Sequence, residues 1–201
     1  MSASVPILIL AAGGSTRMRG KDKLLETVDA TPLLRVQALR ALATQQPVFV
    51  AISDHQEERK AVLSGLDVTI LTVHNASEGM SGTLRDAVAQ LPDADAFMVM
   101  LGDLVGIKTT DLQKVLDARQ HHRDYLIWRG ATDSSEPGHP IIFDASLRPL
   151  FADISGDNGA EMVVKSLRNQ VFLVPLDGRR ARLDLDTPEE WEAWRNSSDI
   201  T

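Results

Sequence analysis

The stretch LILAAGGSTRMRGKDKLL, Leu8 to Leu25, sets four cations, Arg17, Arg19, Lys21 and Lys23, within seven positions, and only Asp22 opposes them. Ahead of them Ala11, Ala12, Gly13 and Gly14 carry almost no side chain, so a ligand can come close to the backbone. Backbone N–H groups combined with Arg and Lys suit a polyphosphate. Neither common phosphate loop fits the spacing. A G-x-x-x-x-G-K-[ST] loop is excluded because Gly14 to Gly20 holds one residue too many and Asp22 stands where a hydroxyl would ligate magnesium. A G-x-G-x-x-G loop is excluded because no glycine sits three beyond Gly14. The bland alternative is a solvated basic turn, since most charged residues are simply exposed.

Two further sites carry carboxylates. Gly102-Asp103 ends the apolar run AFMVML. A carboxylate there suits Mg²⁺, which takes one or two carboxylates together with substrate phosphates. Otherwise Asp103 is a turn residue capping the next helix. The segment RARLDLDTPEE, residues 180–190, reads as a strand and then a helix start. Thr187 is an N-cap, Pro188 the first helical residue, and acids follow in the first turn. That leaves Asp184 and Asp186 unexplained, and alternation puts both on one face of an extended segment.

These groups need a scaffold. Apolar runs at Pro6–Ala11, Pro47–Ile52, Val68–Val73 and Ala96–Leu101 read as buried strands. Tyr125–Trp128, Pro140–Phe143, Val171–Val174 and Ala181–Leu185 are further strand candidates. Helical spacing covers Thr31–Gln45, His55–Ser64, Ser81–Leu91, Thr109–His122, Asn158–Leu167 and Pro188–Trp194. Alternation of the two predicts an α/β fold: a three-layer α/β/α, Rossmann-like, mostly parallel sheet in one domain over residues 1–201. Ligands of such sheets sit beyond the carboxyl ends of the strands. That is where residues 12–23, residues 74–81 and Gly102-Asp103 fall. A net charge of -7 argues against a nucleic-acid binder. With no cysteine, neither a disulfide nor a thiolate site is available. The start MSASVPILILAAGG has no basic leader, and its apolar run is too short to span a bilayer, so a cytoplasmic protein without membrane partners is expected.

LAAGGSTRMRGKDKLL resembles the L-A-A-G-x-S-x-R-M-(G)-x-x-K-L-L signature of the MobA-like nucleotidyltransferases, within them the molybdenum-cofactor cytidylyltransferase branch. The resemblance implies a fold like the nucleotide-diphospho-sugar transferases. It also implies a loop that wraps a nucleoside triphosphate through Leu10, Ala11, Ala12, Gly13, Gly14 and Ser15, with Arg17 and Lys23 on the phosphates. By the same resemblance Asp103, from a G-D-x-P element, and Asp186, from a D-I-D-T-P-E-D element, would hold Mg²⁺. Gly79 and Ser81 would line base and ribose, as in an E-G-M-S-x-S-L segment. Gly138 to Phe143 resembles a strand near the acceptor, with His139 a candidate substrate-facing residue. The implied reaction moves a nucleotidyl group, from CTP, to a phosphorylated small molecule of the molybdopterin type, with a molybdoenzyme or its chaperone downstream. Three departures stand out: Arg19 lengthens the loop, Val105 replaces the proline of G-D-x-P, and Glu161 replaces an arginine. Two other functions remain open on the sequence, a sugar- or alditol-phosphate nucleotidyltransferase and a non-catalytic nucleotide-binding chaperone.

Overall fold

The computed structural model describes residues 4–156 and 159–197. Strand β1 (Ile7–Leu10) is buried on both faces and lies mid-sheet, parallel to β4 (Val48–Ser53) on one side and β6 (Ala96–Leu101) on the other. The seven-stranded order is β5-β4-β1-β6-β8-β7-β9, with β5 Thr69–Val73, β7 Ile127–Ala131, β8 Pro137–Asp144 and β9 Val171–Pro175. Only β8 runs against the others, pairing antiparallel with both β6 and β7. A small hairpin, β2 (Thr27–Val28) with β3 (Thr31–Pro32), precedes helix α1 (Leu33–Leu42). Asp29 and Ala30 at its tip both have positive φ, the backbone a tight two-residue hairpin needs.

The remaining helices are α2 (Glu57–Val62), α3 (Met80–Gln90), α4 (Thr109–His121), α5 (Glu161–Ser166) and α6 (Pro188–Asn196). Strand alternation sorts them into two layers. Ile7, Ile9, Met98 and Met100 point to the face covered by α1, α4 and Trp191 of α6. Leu8, Phe97 and Val99 point to the face covered by α3 and α5. Phe97, Phe143 and Phe151 pack together there, with ring centroids 5.0–5.6 Å apart.

This topology creates the site. The chain moves outward from β1 to β4 and β5, then returns across the sheet through α3 to β6. The order therefore reverses beside β1, and the crevice of a doubly wound sheet opens at the carboxyl ends of β1 and β6. The loops that follow those two strands are 11–24 and 102–106.

The segment expected as a last strand takes another form. Arg180–Arg182 is a 3₁₀ turn, and the strand-like pairing of this stretch is reduced to an isolated antiparallel bridge, Leu104 to Asp184. A close contact explains the difference. A Cβ on Gly138 would lie 2.1 Å from the Ala181 carbonyl oxygen, so β8 is pressed against the turn itself. Helix α5 starts at Glu161, and Asp157 and Asn158 lie outside the described residues. Gly138→Ala should destabilise the protein by about 2 kcal/mol or more through this overlap. Thermal unfolding of the variant measures it.

Candidate active site

A buried arginine shapes the opening loop. Arg59 of α2 is 2% exposed and grips Asp22 with two bonds, Nε to Oδ2 at 2.6 Å and one terminal nitrogen to Oδ1 at 2.8 Å. Its other terminal nitrogen donates to the Ala11 carbonyl at 2.5 Å. Asp22 also accepts from the Leu24 N–H and the Ser15 hydroxyl. Beside it Gln56 donates to the Ala12 carbonyl at 3.2 Å. The residue that fails the magnesium-hydroxyl pattern is thus the loop's internal anchor. Met18, 1% exposed, fixes the tip in the core. Ser15 and Arg19 bracket the 3₁₀ turn Thr16–Met18 in left-handed conformations, and Gly20 follows with φ 87°. The added residue Arg19 reaches Glu189 of α6 at 2.6 Å, so the lengthened loop is tied to the next acidic segment.

The carboxylates arrive from two other elements. The turn carrying Asp103 is held by α1: Gln37 donates to the Leu104 carbonyl at 2.5 Å and Arg40 to the Val105 carbonyl at 3.0 Å. With Val105 itself 2% exposed, these bonds fix a turn that has no proline. Asp186 is placed by the start of α6. Thr187 and Glu190 form a reciprocal capping box, and Glu190 also accepts the Asp186 N–H at 2.7 Å. Those backbone bonds hold the Glu190 carboxyl below its usual range.

Lys23 meets the carboxylates at the centre. Its Nζ lies 2.5 Å from Asp103 Oδ2 and 2.8 Å from Asp186 Oδ1. Burial pulls the lysine pKa down, but the two carboxylates outweigh it and the net shift is upward, so the ammonium is fully charged. Arg17 takes the other Asp186 oxygen at 2.8 Å. Asp103, Asp184 and Asp186 each offer one oxygen, and these three atoms lie within 4.8 Å of one another. Asp184 is solvent-exposed as a residue, yet partial burial of its carboxyl, with Asp103 and Asp186 adding repulsion, pushes its pKa up. The second oxygen of Asp103 is buried and has no partner among the described residues. A compact set of oxygen donors with one buried oxygen unfilled fits a hard divalent cation.

These groups border a cavity of about 310 Å³. Leu10 to Ser15, Arg17, Lys23, Gly79, Asp103 and Asp186 all line it. Ser81 does not. It is buried in α3, and its hydroxyl accepts the Gly159 N–H at 3.1 Å, tying α3 to the residues before α5. Met80 and Thr83 line the cavity from that helix. His139 is held near pH 4 by burial and by neighbouring Arg129, so its imidazole is neutral at pH 7. Arg129 pairs with Glu161 at 3.1 Å, which gives the unexpected glutamate a partner. Arg59 is the residue shaping the candidate site that sequence reasoning passed over. Nothing in the polar segment EERKAV marked its third residue as buried, and its partner Asp22 already had four cations close by in sequence.

The profile of the MobA-like NTP transferase domain matches residues 7–171. This chain belongs to that family. It is 29% identical to the molybdenum cofactor guanylyltransferase of Burkholderia vietnamiensis over 155 residues, 76% of this chain and 75% of that protein. It is 25% identical to the nicotine blue oxidoreductase of Paenarthrobacter nicotinovorans over 188 residues, 91% of this chain and 92% of that one. Identity to the bifunctional protein GlmU of Cereibacter sphaeroides is 33% over 144 residues, 69% of this chain, and the match spans only 32% of that relative. Among solved structures, Rv0371c of Mycobacterium tuberculosis superposes with a TM-score of 0.84 at 24% identity, covering 98% of this chain and 100% of that one. The fold is thus the Rossmann-like α/β fold expected. Among the described residues, no helix is long and apolar enough to cross a membrane.

Two predictions follow from these contacts. Arg59→Met leaves Asp22 without its buried partner and should cost about 3 kcal/mol of stability, read by denaturant unfolding. Asp184, whose folded pKa is raised, favours the native state when protonated and opposes it when ionised. Asp184→Asn should therefore raise the melting temperature at pH 7 by ~2–4 °C. The gain should vanish once the pH falls below the ordinary carboxylate range.

Proposed function

We propose that the protein transfers a nucleotidyl group from a nucleoside triphosphate, CTP by resemblance, to a phosphorylated small molecule of the molybdopterin type, releasing pyrophosphate. The observation that carries this reading is the meeting of Arg17 and Lys23 with Asp103, Asp184 and Asp186 beside the backbone cradle 10–15. Both signs of charge in one cleft suit a triphosphate and the cation that accompanies it. The relatives' names do not agree on a reaction, since one is an oxidoreductase, so the assignment rests on these side chains.

Asp103 and Asp186, with Asp184 beside them, would hold a divalent cation, Mg²⁺ by resemblance. Such an ion, when bound, supplies charge neutralisation across the triphosphate and orients it. The N–H groups of Gly13 to Ser15 bind the phosphates, and Arg17 and Lys23 offset charge on the departing pyrophosphate. An acceptor phosphate oxygen attacks the α-phosphorus in line. The new P–O bond forms as the bond to the β-phosphate oxygen breaks. No general base is required, because a phosphate acceptor is already ionised at neutral pH. Rate then comes from positioning and electrostatics. A cytoplasmic setting, with a molybdoenzyme or its chaperone as recipient of the product, completes the proposal.

Asp103→Asn should lower pyrophosphate release by at least ~100-fold while the melting temperature stays within a few degrees. The assay is a panel of CTP, GTP, ATP and UTP against molybdopterin-type, sugar-phosphate and alditol-phosphate acceptors. Turnover near wild type in that variant would refute the metal assignment. Nucleotide binding without pyrophosphate release across the whole panel would favour a binding protein instead.

A further inference from the structure

The two cations expected on the phosphates do not wait in the phosphate cradle. Lys23 Nζ bridges Asp103 Oδ2 and Asp186 Oδ1, and Arg17 holds Asp186 Oδ2. Three of the four oxygens of these two carboxylates are thereby occupied. The fourth, Asp103 Oδ1, is buried and unpartnered among the described residues. A divalent ion of this type bonds carboxylate oxygens at about 2.1 Å. An ammonium 2.5 and 2.8 Å from two of those oxygens stands where that ion would sit, and it carries a like charge.

We propose that Lys23 is a resident counter-ion of the metal site. The metal and the lysine exclude one another, and a metal–triphosphate chelate binds as a unit by exchanging ion partners with the protein. This rests on the functional reading above and adds the form in which the substrate is recognised. On entry the metal takes Asp103 and Asp186, and the displaced ammonium turns to the phosphates. Arg17 follows the same route with less resistance, because its side chain is 71% exposed while that of Lys23 is only 17% exposed. A metal arriving alone would strand both cations beside a new positive charge. A triphosphate arriving alone would find its cations held by carboxylates that repel it. Either half-reaction is disfavoured, and the chelate satisfies both. The device also pairs Asp103 and Asp186 with cations in the free protein, which leaves Asp184 as the carboxylate of the cluster that opposes the fold when ionised.

The test is Mn²⁺ binding followed by electron paramagnetic resonance, with and without a non-hydrolysable CTP analogue. Wild-type protein should bind free Mn²⁺ weakly and Mn²⁺ far better with the analogue. Lys23→Gln removes the competing charge and keeps a hydrogen-bonding side chain. It should bind free Mn²⁺ about tenfold more tightly than wild type and lose much of the enhancement by nucleotide. Lys23→Arg retains the charge and should bind free Mn²⁺ as weakly as wild type. Free Mn²⁺ binding in Lys23→Gln that is equal to or weaker than wild type overturns the exchange. Asp103→Asn separates this from failure of the site itself. If Asp103→Asn removes Mn²⁺ binding while Lys23→Gln leaves it unchanged, the metal site stands and only the exchange falls. If Asp103→Asn has no effect on Mn²⁺, both fall.

Discussion

The site depends on the buried pair between Arg59 and Asp22. A guanidinium that is 2% exposed must find its hydrogen-bond acceptors, and here these are the Asp22 carboxylate, the Ala11 carbonyl and the Ser15 hydroxyl. All three belong to the loop after β1. Satisfying one side chain therefore bends the backbone between Ala11 and Asp22 into a cradle. It also sets Lys23, the neighbour of Asp22, in line with Asp103 and Asp186. An unpaired charge at that depth costs several kcal/mol, so the loop has little freedom to take another path.

The sheet makes this local device useful. Because the strand order reverses beside β1, the loops after β1 and β6 face each other across one crevice. Gly102-Asp103 then stands opposite Lys23 without long-range adjustment. The third component comes from far along the chain. Close packing of Gly138 against Ala181, the bridge from Leu104 to Asp184, and the capping box of α6 bring residues 184–186 to the same point. Three segments, each held by its own short-range bonds, converge on one cluster of charge. That cluster has two cations and three carboxylates, and it is close to neutral before any ligand arrives. That near-balance of charge is what the proposed exchange of ion partners draws on.

The departures from the family pattern find partners within the fold. Val105 lies in the core, and its turn is fastened by Gln37 and Arg40. Arg19 pairs with Glu189, and Glu161 with Arg129. Each replaces a constraint of one kind with a constraint of another.

Much of this was legible from residue order alone. Continuous apolar runs bounded by Gly and Asp announce buried parallel strands, because burial on both faces removes alternation. Small residues followed by cations carry the proposal of an anion-binding loop, and Asp103 and Asp186, at strand and helix junctions, come together with its Lys23 in the structure. Other features depend on contacts between distant segments. The Arg180–Arg182 turn has the alternation of a strand, and only the approach of Gly138 bends it. Ser81 reads as a ligand hydroxyl, but its partner is the Gly159 backbone, 78 residues away. Arg59 reads as one cation in a polar helix, and its burial becomes visible only when α2 packs against the loop. Periodicity and local chemistry report the faces of each element and the kinds of ligand it can serve. Which charges meet is decided by packing, since opposite charges pair through space and not along the chain.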